Sequence, residues 1–167
     1  MVKNPIGSFV TRLLSVLTII LVVACTDTEK PGMEEALDTV VQMEVFKSPS
    51  CGCCGKWVEH VEAAGFAVAV KNRQNLSSIK REFGIGPRYQ SCHTGVAEGY
   101  VFEGHIPASF VRRFLEEKPV DAIGLAVPGM PVGSPGMEMG ERFDSYDIML
   151  LKADGSSEVY AHVDAPQ

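Results

Sequence analysis

A chain of 167 residues with 46% apolar content is long enough for one ordinary domain with its own core. Its 15 Lys and Arg stand against 21 Asp and Glu, and the resulting charge of −6 argues against nucleic acid as a partner. The acids are dispersed along the chain, the pattern of a solvating face rather than of a binding patch.

Lys3 and Arg12 precede an apolar run from Leu13 to Ala24, a basic region followed by a stretch too short for a permanent membrane helix. Residues 1–24 are therefore predicted to be an export signal. The run ends "LVVAC", which resembles the lipobox of bacterial lipoprotein signals, so Cys25 is expected to become the acylated first residue, with the lipid as the only membrane attachment. With Thr26 rather than Asp after that cysteine, the resemblance to Gram-negative lipoproteins implies the outer membrane. Lys3 and Arg12 are the only charges in residues 1–24, so their removal takes Lys and Arg from 15 to 13 against 21 acids, a charge of −8. Thr26 to Asp38 is polar, acidic and contains "KPG", so residues 25–40 read as a flexible tether ahead of a domain at residues 41–167.

In that domain Val41, Met43 and Val45 alternate in "VVQMEVFKS" as a strand that delivers the chain to Cys51, Cys53 and Cys54. From Cys54 the stripe Trp57, Val58, Val61 and Ala64 predicts a helix capped by Gly65. "FAVAV" alternates as a second strand, and Leu76, Ile79 and Phe83 are spaced as a second helix stopping at Gly84. After the loop "GIGPRYQ", two short strands flank a turn at Glu98 and Gly99, and Pro107 opens a helix with the apolar face Phe110, Val111, Phe114 and Leu115. The order β-α-β-α-β-β-α predicts an α/β fold of thioredoxin-like type, with a mixed central sheet and flanking helices. "AIGLAVPGMPVGSPGMEMG" is too rich in Gly and Pro for a helix and reads as a covering loop. "YDIMLLKADGSSEVYAHV" reads as a C-terminal β-hairpin extension turning at Asp154 and Gly155.

With Cys25 assigned to lipid, four cysteines remain, and export places them in an oxidising compartment. A helix N-terminus stabilises thiolates and lowers a cysteine pKa from its usual value of about 8.5. Cys51 and Cys54, at C-x-x-C spacing, are the catalytic pair if the chain is a thiol-disulfide oxidoreductase. Cys53 does not fit that scheme, because a third thiol beside the pair can attack either sulfur of its disulfide. Three clustered thiolates with a fourth, Cys92, brought by "SCHTG" suit a soft ion, and Cu(I) is the softest common candidate. That segment occupies the place where a thioredoxin-like fold ordinarily keeps a cis-proline. Zinc, held by four cysteines or by three cysteines and a histidine, is the alternative metal, but its ligands usually come as two separate knuckles. Iron–sulfur ligation is less suited to a chain exported unfolded.

His93 and Met130 are the candidates to complete the coordination, with Met137 and Met139 as further thioethers in the same loop. His60, His105 and His162 are assigned to surface or capping roles. Trp57 is assigned to the core, where it can also wall the site.

"SPSCGCCGKWVEHVEAAGF", "SCHTG" and "YVFEGHIPA" together resemble the CopG-type periplasmic copper proteins, a family formerly labelled only as a domain of unknown function. The similarity runs from about Met43 to Val163. It implies a thioredoxin-like fold, a periplasmic role in copper resistance alongside other copper-handling proteins, and copper held by Cys51, Cys53, Cys54 and Cys92. A thiolate-bridged multi-copper cluster and Cu(I)/Cu(II) redox activity are also implied by the resemblance.

Overall fold

The computed structural model describes residues 40–167, so the predicted leader, Cys25 and nearly all of the tether lie outside the described residues. The element order follows the alternations read above. Strand β1 (Gln42–Lys47) leads through the cysteines into helix α1 (Gly52–Ala63), then β2 (Ala67–Asn72) and α2 (Ser77–Glu82). A single 3-10 turn at Pro87–Tyr89 precedes β3 (His93–Ala97), β4 (Tyr100–Glu103) and α3 (Ala108–Glu117). Three more strands complete the chain, β5 (Ala122–Ala126), β6 (Tyr146–Lys152) and β7 (Ser157–Val163).

All strands join one seven-stranded mixed sheet in the order β2-β1-β3-β4-β5-β6-β7. β1 pairs with β2 in parallel and with β3 antiparallel, β3 and β4 form a hairpin, and β4 pairs with β5 in parallel. The molecule is thus a mixed α/β domain, and β6 and β7 form the expected C-terminal hairpin. Among the described residues no helix is long and apolar enough to cross a membrane.

One strand was hidden in the sequence. Ala122–Ala126 reads as part of a Gly/Pro loop, yet it forms β5 against β4. Gly124 is the reason: at φ +150° it sits where a side-chain Cβ would overlap the Val101 carbonyl, so the close approach of the two backbones excludes a strand-forming residue there. The composition that looks like loop is what lets the strand pack.

The period-2 alternation divides the interior between the two faces of the sheet. Trp57, Val58 and Val61 of α1 and Val111, Phe114 and Leu115 of α3 cover one face, over Met43, Val45, Phe102 and Leu125. Ile85, Tyr89, Val101, Ala126 and Leu151 fill the other, with Phe83 packed against them from beyond the end of α2. At about 25 cal/mol per Å2, burial of this apolar area drives the assembly, whereas α1 carries two glycines in its first turn and no side-chain cap and is held by its stripe rather than by propensity.

The pairing decides where the chemistry lies. β1 and β3 are antiparallel, with Lys47 opposite His93, so the end of β1 meets the start of β3 at one rim of the sheet. β3 and β4 are antiparallel and β4 and β5 parallel, so the ends of β4 and β5 reach the same rim.

Candidate metal centre

Cys51 occupies the N-cap position of α1 with extended backbone and no side-chain cap of its own, and the first turn of the helix carries no acidic residue. The unpaired N–H groups and the positive end of the helix are thus turned toward the thiols. Cys51 and Cys54 are joined by a disulfide, while among the described residues Cys53 and Cys92 are free thiols. Cys53 Sγ lies 3.4 Å from Cys51 Sγ. Cys54 Sγ lies 3.9 Å from the Cys92 carbonyl oxygen. The sulfurs of Cys51, Cys53, Cys54 and Cys92 all lie within 4.8 Å of one another, so the fourth thiol expected from "SCHTG" is delivered to the triplet.

A second set of ligand atoms shares Cys92. Its Sγ is 3.3 Å from His93 Nδ1 and 3.0 Å from His105 Nε2, and the three residues form a group on the same 4.8 Å scale. His105 Nδ1 donates to the Pro135 carbonyl at 2.8 Å, which fixes the tautomer and leaves the Nε2 lone pair facing Cys92. His93 is fully buried, its ring centroid 4.3 Å from that of Trp57 and 4.9 Å from that of His105. Its Nε2 has no hydrogen-bond partner among the described residues. Trp57 is itself fixed by donating Nε1–H to the Ile106 carbonyl at 2.8 Å. It is both core and wall.

Burial sets the protonation of this set. It holds the His93 pKa well below 6.5, with the neighbouring His105 and Lys80 acting in the same direction. Burial also lowers His105, against the opposing pull of the Pro135 carbonyl and Glu138. Both imidazoles are therefore neutral near pH 7, the form that binds metals. The Cys92 thiol is pushed up to about 12, first by burial and then by Cys53, so an incoming metal must displace its proton.

The Gly/Pro loop closes over this rim, as its composition suggested. A Cβ on Gly136, at φ +85°, would lie 2.7 Å from the Cys53 carbonyl and 2.9 Å from the Trp57 nitrogen. Met130, on the same loop, is 51% exposed, and Met139 is exposed as well. The loop reaches the ligands through Pro135 and Gly136, and no described contact brings Met130 to them.

His105 is the residue that sequence reasoning misplaced. It is buried beside Cys92, not on the surface, because the hairpin turn at Glu98–Gly99 fixes the β3–β4 register. Extending that register two residues beyond Thr94 and Glu103 sets His105 opposite Cys92, a signal that "SCHTG", the turn and "GHIP" already contained. His60 does cap: its Nε2 accepts from Ala108 N at 3.0 Å at the start of α3. His162 is exposed and paired with Asp147.

Comparison with known proteins places this arrangement. The model of a family of unknown function, DUF411, matches residues 89–137, the span that holds Cys92, His93, His105 and the covering loop. Two solved structures of copper resistance protein CopG, Forms 1 and 2, are 41% identical, with TM-scores of 0.71. The match to Form 2 covers 75% of this chain and that to Form 1 covers 77%, and each covers 99% of the CopG chain. The chain belongs to the CopG family of copper-resistance proteins. No curated protein matches it. In this CopG-family chain the cysteine triplet and Cys92, His93 and His105 of the hairpin converge at one rim of the sheet.

Proposed function

We propose that this CopG-family chain is an exported copper-handling protein that holds Cu(I) at Cys51, Cys53, Cys54 and Cys92, with His93 and His105 completing the sphere. The observation that carries this reading is the convergence of four sulfurs within 4.8 Å, among them Cys53, whose place beside Cys54 suits neither the two separate knuckles of a zinc site nor a dithiol redox pair. Soft thiolates favour the monovalent ion, and bridging sulfurs at this spacing can hold more than one. The frame is read as thioredoxin-like, supported by the order β-α-β-α-β-β-α and the strand order β2-β1-β3-β4.

The Cys51–Cys54 disulfide gives the site a redox coordinate. Closed, it withholds two of the four thiolates. As a dithiol, the pair can pass one electron to each of two Cu(II) ions, releasing two protons and forming the S–S bond while the two Cu(I) produced stay with Cys53, Cys92 and the imidazoles. Interconversion of Cu(I) and Cu(II) in copper resistance is the role this suits, with other periplasmic copper-handling proteins as donor and acceptor. On this reading the chain works in the periplasm, held at the outer membrane by lipid on Cys25. Cys25→Ala is expected to release it into the soluble exported fraction with copper binding unchanged; a variant still membrane-bound refutes the anchor.

Anaerobic Cu(I) titration of the reduced protein against a competing chelator, with X-ray absorption of the product, tests the main reading. Sulfur-dominated Cu(I) coordination, far tighter than Zn(II), is expected; equal or stronger zinc binding refutes it. The same disulfide favours one second reading, a thiol-disulfide oxidoreductase using Cys51 and Cys54. Cys53→Ser with Cys92→Ser separates the two, abolishing tight Cu(I) binding under the first and sparing disulfide exchange under the second.

A further inference from the structure

Glu103, at the end of β4, is a fully buried carboxylate on the sheet face opposite to α1 and the triplet. A buried charge in such a place is tolerated only when paired and hydrogen-bonded. Apolar side chains fill much of that face, so packing alone does not call for it. One oxygen, Oε1, pairs with Lys80 of α2, itself 5% exposed, and accepts from the backbone N–H of Ser91 at 2.6 Å. The other, Oε2, accepts from the Thr94 hydroxyl at 2.6 Å, and Lys80 Nζ also reaches that hydroxyl at 3.3 Å.

Ser91 immediately precedes Cys92, and both lie outside the β1–β3 ladder, whose pairing at this rim ends at Lys47 and His93. The backbone there is not held by sheet pairing. Ser91 is secured instead by three contacts. Its N–H is held by Glu103, its hydroxyl donates to the Gly129 carbonyl, and its side chain is backed by Gly104, where a Cβ would lie 2.6 Å from Ser91 Cβ. We propose that Glu103, held in place by Lys80, is a positioning residue for the metal centre, fixing through Ser91 the backbone that aims Cys92 at the triplet and at His105.

The chemistry supports a carboxylate here. A carboxylate oxygen accepts a backbone N–H more strongly than a neutral group does, and the Lys80 ammonium beside it fixes where that oxygen sits. Cys92 belongs to both ligand groups, so a small displacement of its backbone alters every sulfur and nitrogen distance it makes. The device resembles the outer partners that orient metal ligands from behind, except that it acts through the main chain of the preceding residue.

This inference rests on the proposed copper-handling role, and the experiment keeps the two separable. Two double variants remove the charge pair with shape retained: Lys80→Met with Glu103→Gln, and Lys80→Met with Glu103→Leu. Replacing both partners of a buried pair generally preserves folding, so both are expected to melt near the unmodified protein. Only the Gln version keeps an oxygen for Ser91 N. In anaerobic Cu(I) competition the Gln version should stay within about threefold of the unmodified protein, and the Leu version should lose about tenfold or more, the range for outer-shell positioning partners. In the metal-free reduced protein, Cys92 of the Leu version should alkylate about tenfold faster relative to Cys53, as a freed hairpin root would allow, a readout independent of copper. Should the Leu version fail to fold, Glu103→Asp retains the ion pair but withdraws the carboxylate from Ser91 by one methylene, and the same two losses are expected of it. Equal copper affinity and equal Cys92 reactivity in the Gln and Leu versions, or in Asp and unmodified protein, overturn the proposal. If the unmodified protein binds no Cu(I), the copper reading fails and the alkylation arm still decides the positioning role.

Discussion

The two halves of the candidate metal centre are built by different means. Cys51, Cys53 and Cys54 lie at the N-cap and in the first turn of α1, so local geometry sets their mutual distances. Cys92, His93 and His105 come from the root of the β3–β4 hairpin, 38 residues or more along the chain from Cys54, and meet it only because β1 and β3 pair antiparallel. The first half carries a disulfide, and in the second the two imidazoles are buried and held neutral. The contrast teaches that a reactive cluster can be encoded locally, while the groups that give it a fixed shape need the sheet.

The largest expected effect falls where the halves join. Cys92→Ser should lower Cu(I) affinity by more than the ~10–100-fold typical of outer-shell partners, because Cys92 alone belongs to both ligand groups. A full copper complement in that variant would reduce the site to the triplet. His105→Gln removes one imidazole from the hairpin half and should cost about tenfold, measured in the same chelator competition. If it has no effect while His60→Gln does, the ligand atoms lie along α1 rather than at the hairpin.

Closure of the loop over both halves should be sensitive to Gly136→Ala. The added Cβ meets the Cys53 carbonyl and the Trp57 nitrogen at φ +85°, so a loss of about 1–3 kcal/mol in stability and faster copper release are expected from thermal melts and stopped-flow transfer. An unchanged melting curve and release rate would show that the loop moves freely.

Acid should unsettle the hairpin half selectively. His93 and His105 are held below their ordinary pKa of 6.5, so below that pH the unfolded chain binds more protons than the folded one. Their contribution to stability is complete above 6.5 and is lost as pH falls, at up to about 1.4 kcal/mol per pH unit for each histidine. Melting of the metal-free protein from pH 7.5 down to 5 should show this decline, and His93→Gln should flatten it. Parallel curves for the two proteins would assign the acid sensitivity elsewhere. The smallest effect is expected of Met130→Leu, half exposed and away from the ligands, which should leave Cu(I) affinity within about threefold. A larger loss would bring the loop into the coordination sphere.

The sequence by itself determined the triplet and its place between a strand and a helix, because alternation at Met43 and Val45 and the stripe Trp57, Val58 and Val61 are local signals of period 2 and 3.6. It also determined the Glu98–Gly99 turn, where both residues adopt positive φ, and the C-terminal hairpin around Gly155. Tertiary structure alone decided that Ala122–Ala126 is a strand, since Gly124 answers to the approach of Val101 and not to any propensity of its own. It also decided that His105 faces Cys92 and that Glu103 and Lys80 are buried as a pair. Each of these depends on which strands become neighbours and on the water they exclude, and pairing between distant segments leaves no period in the chain that forms it.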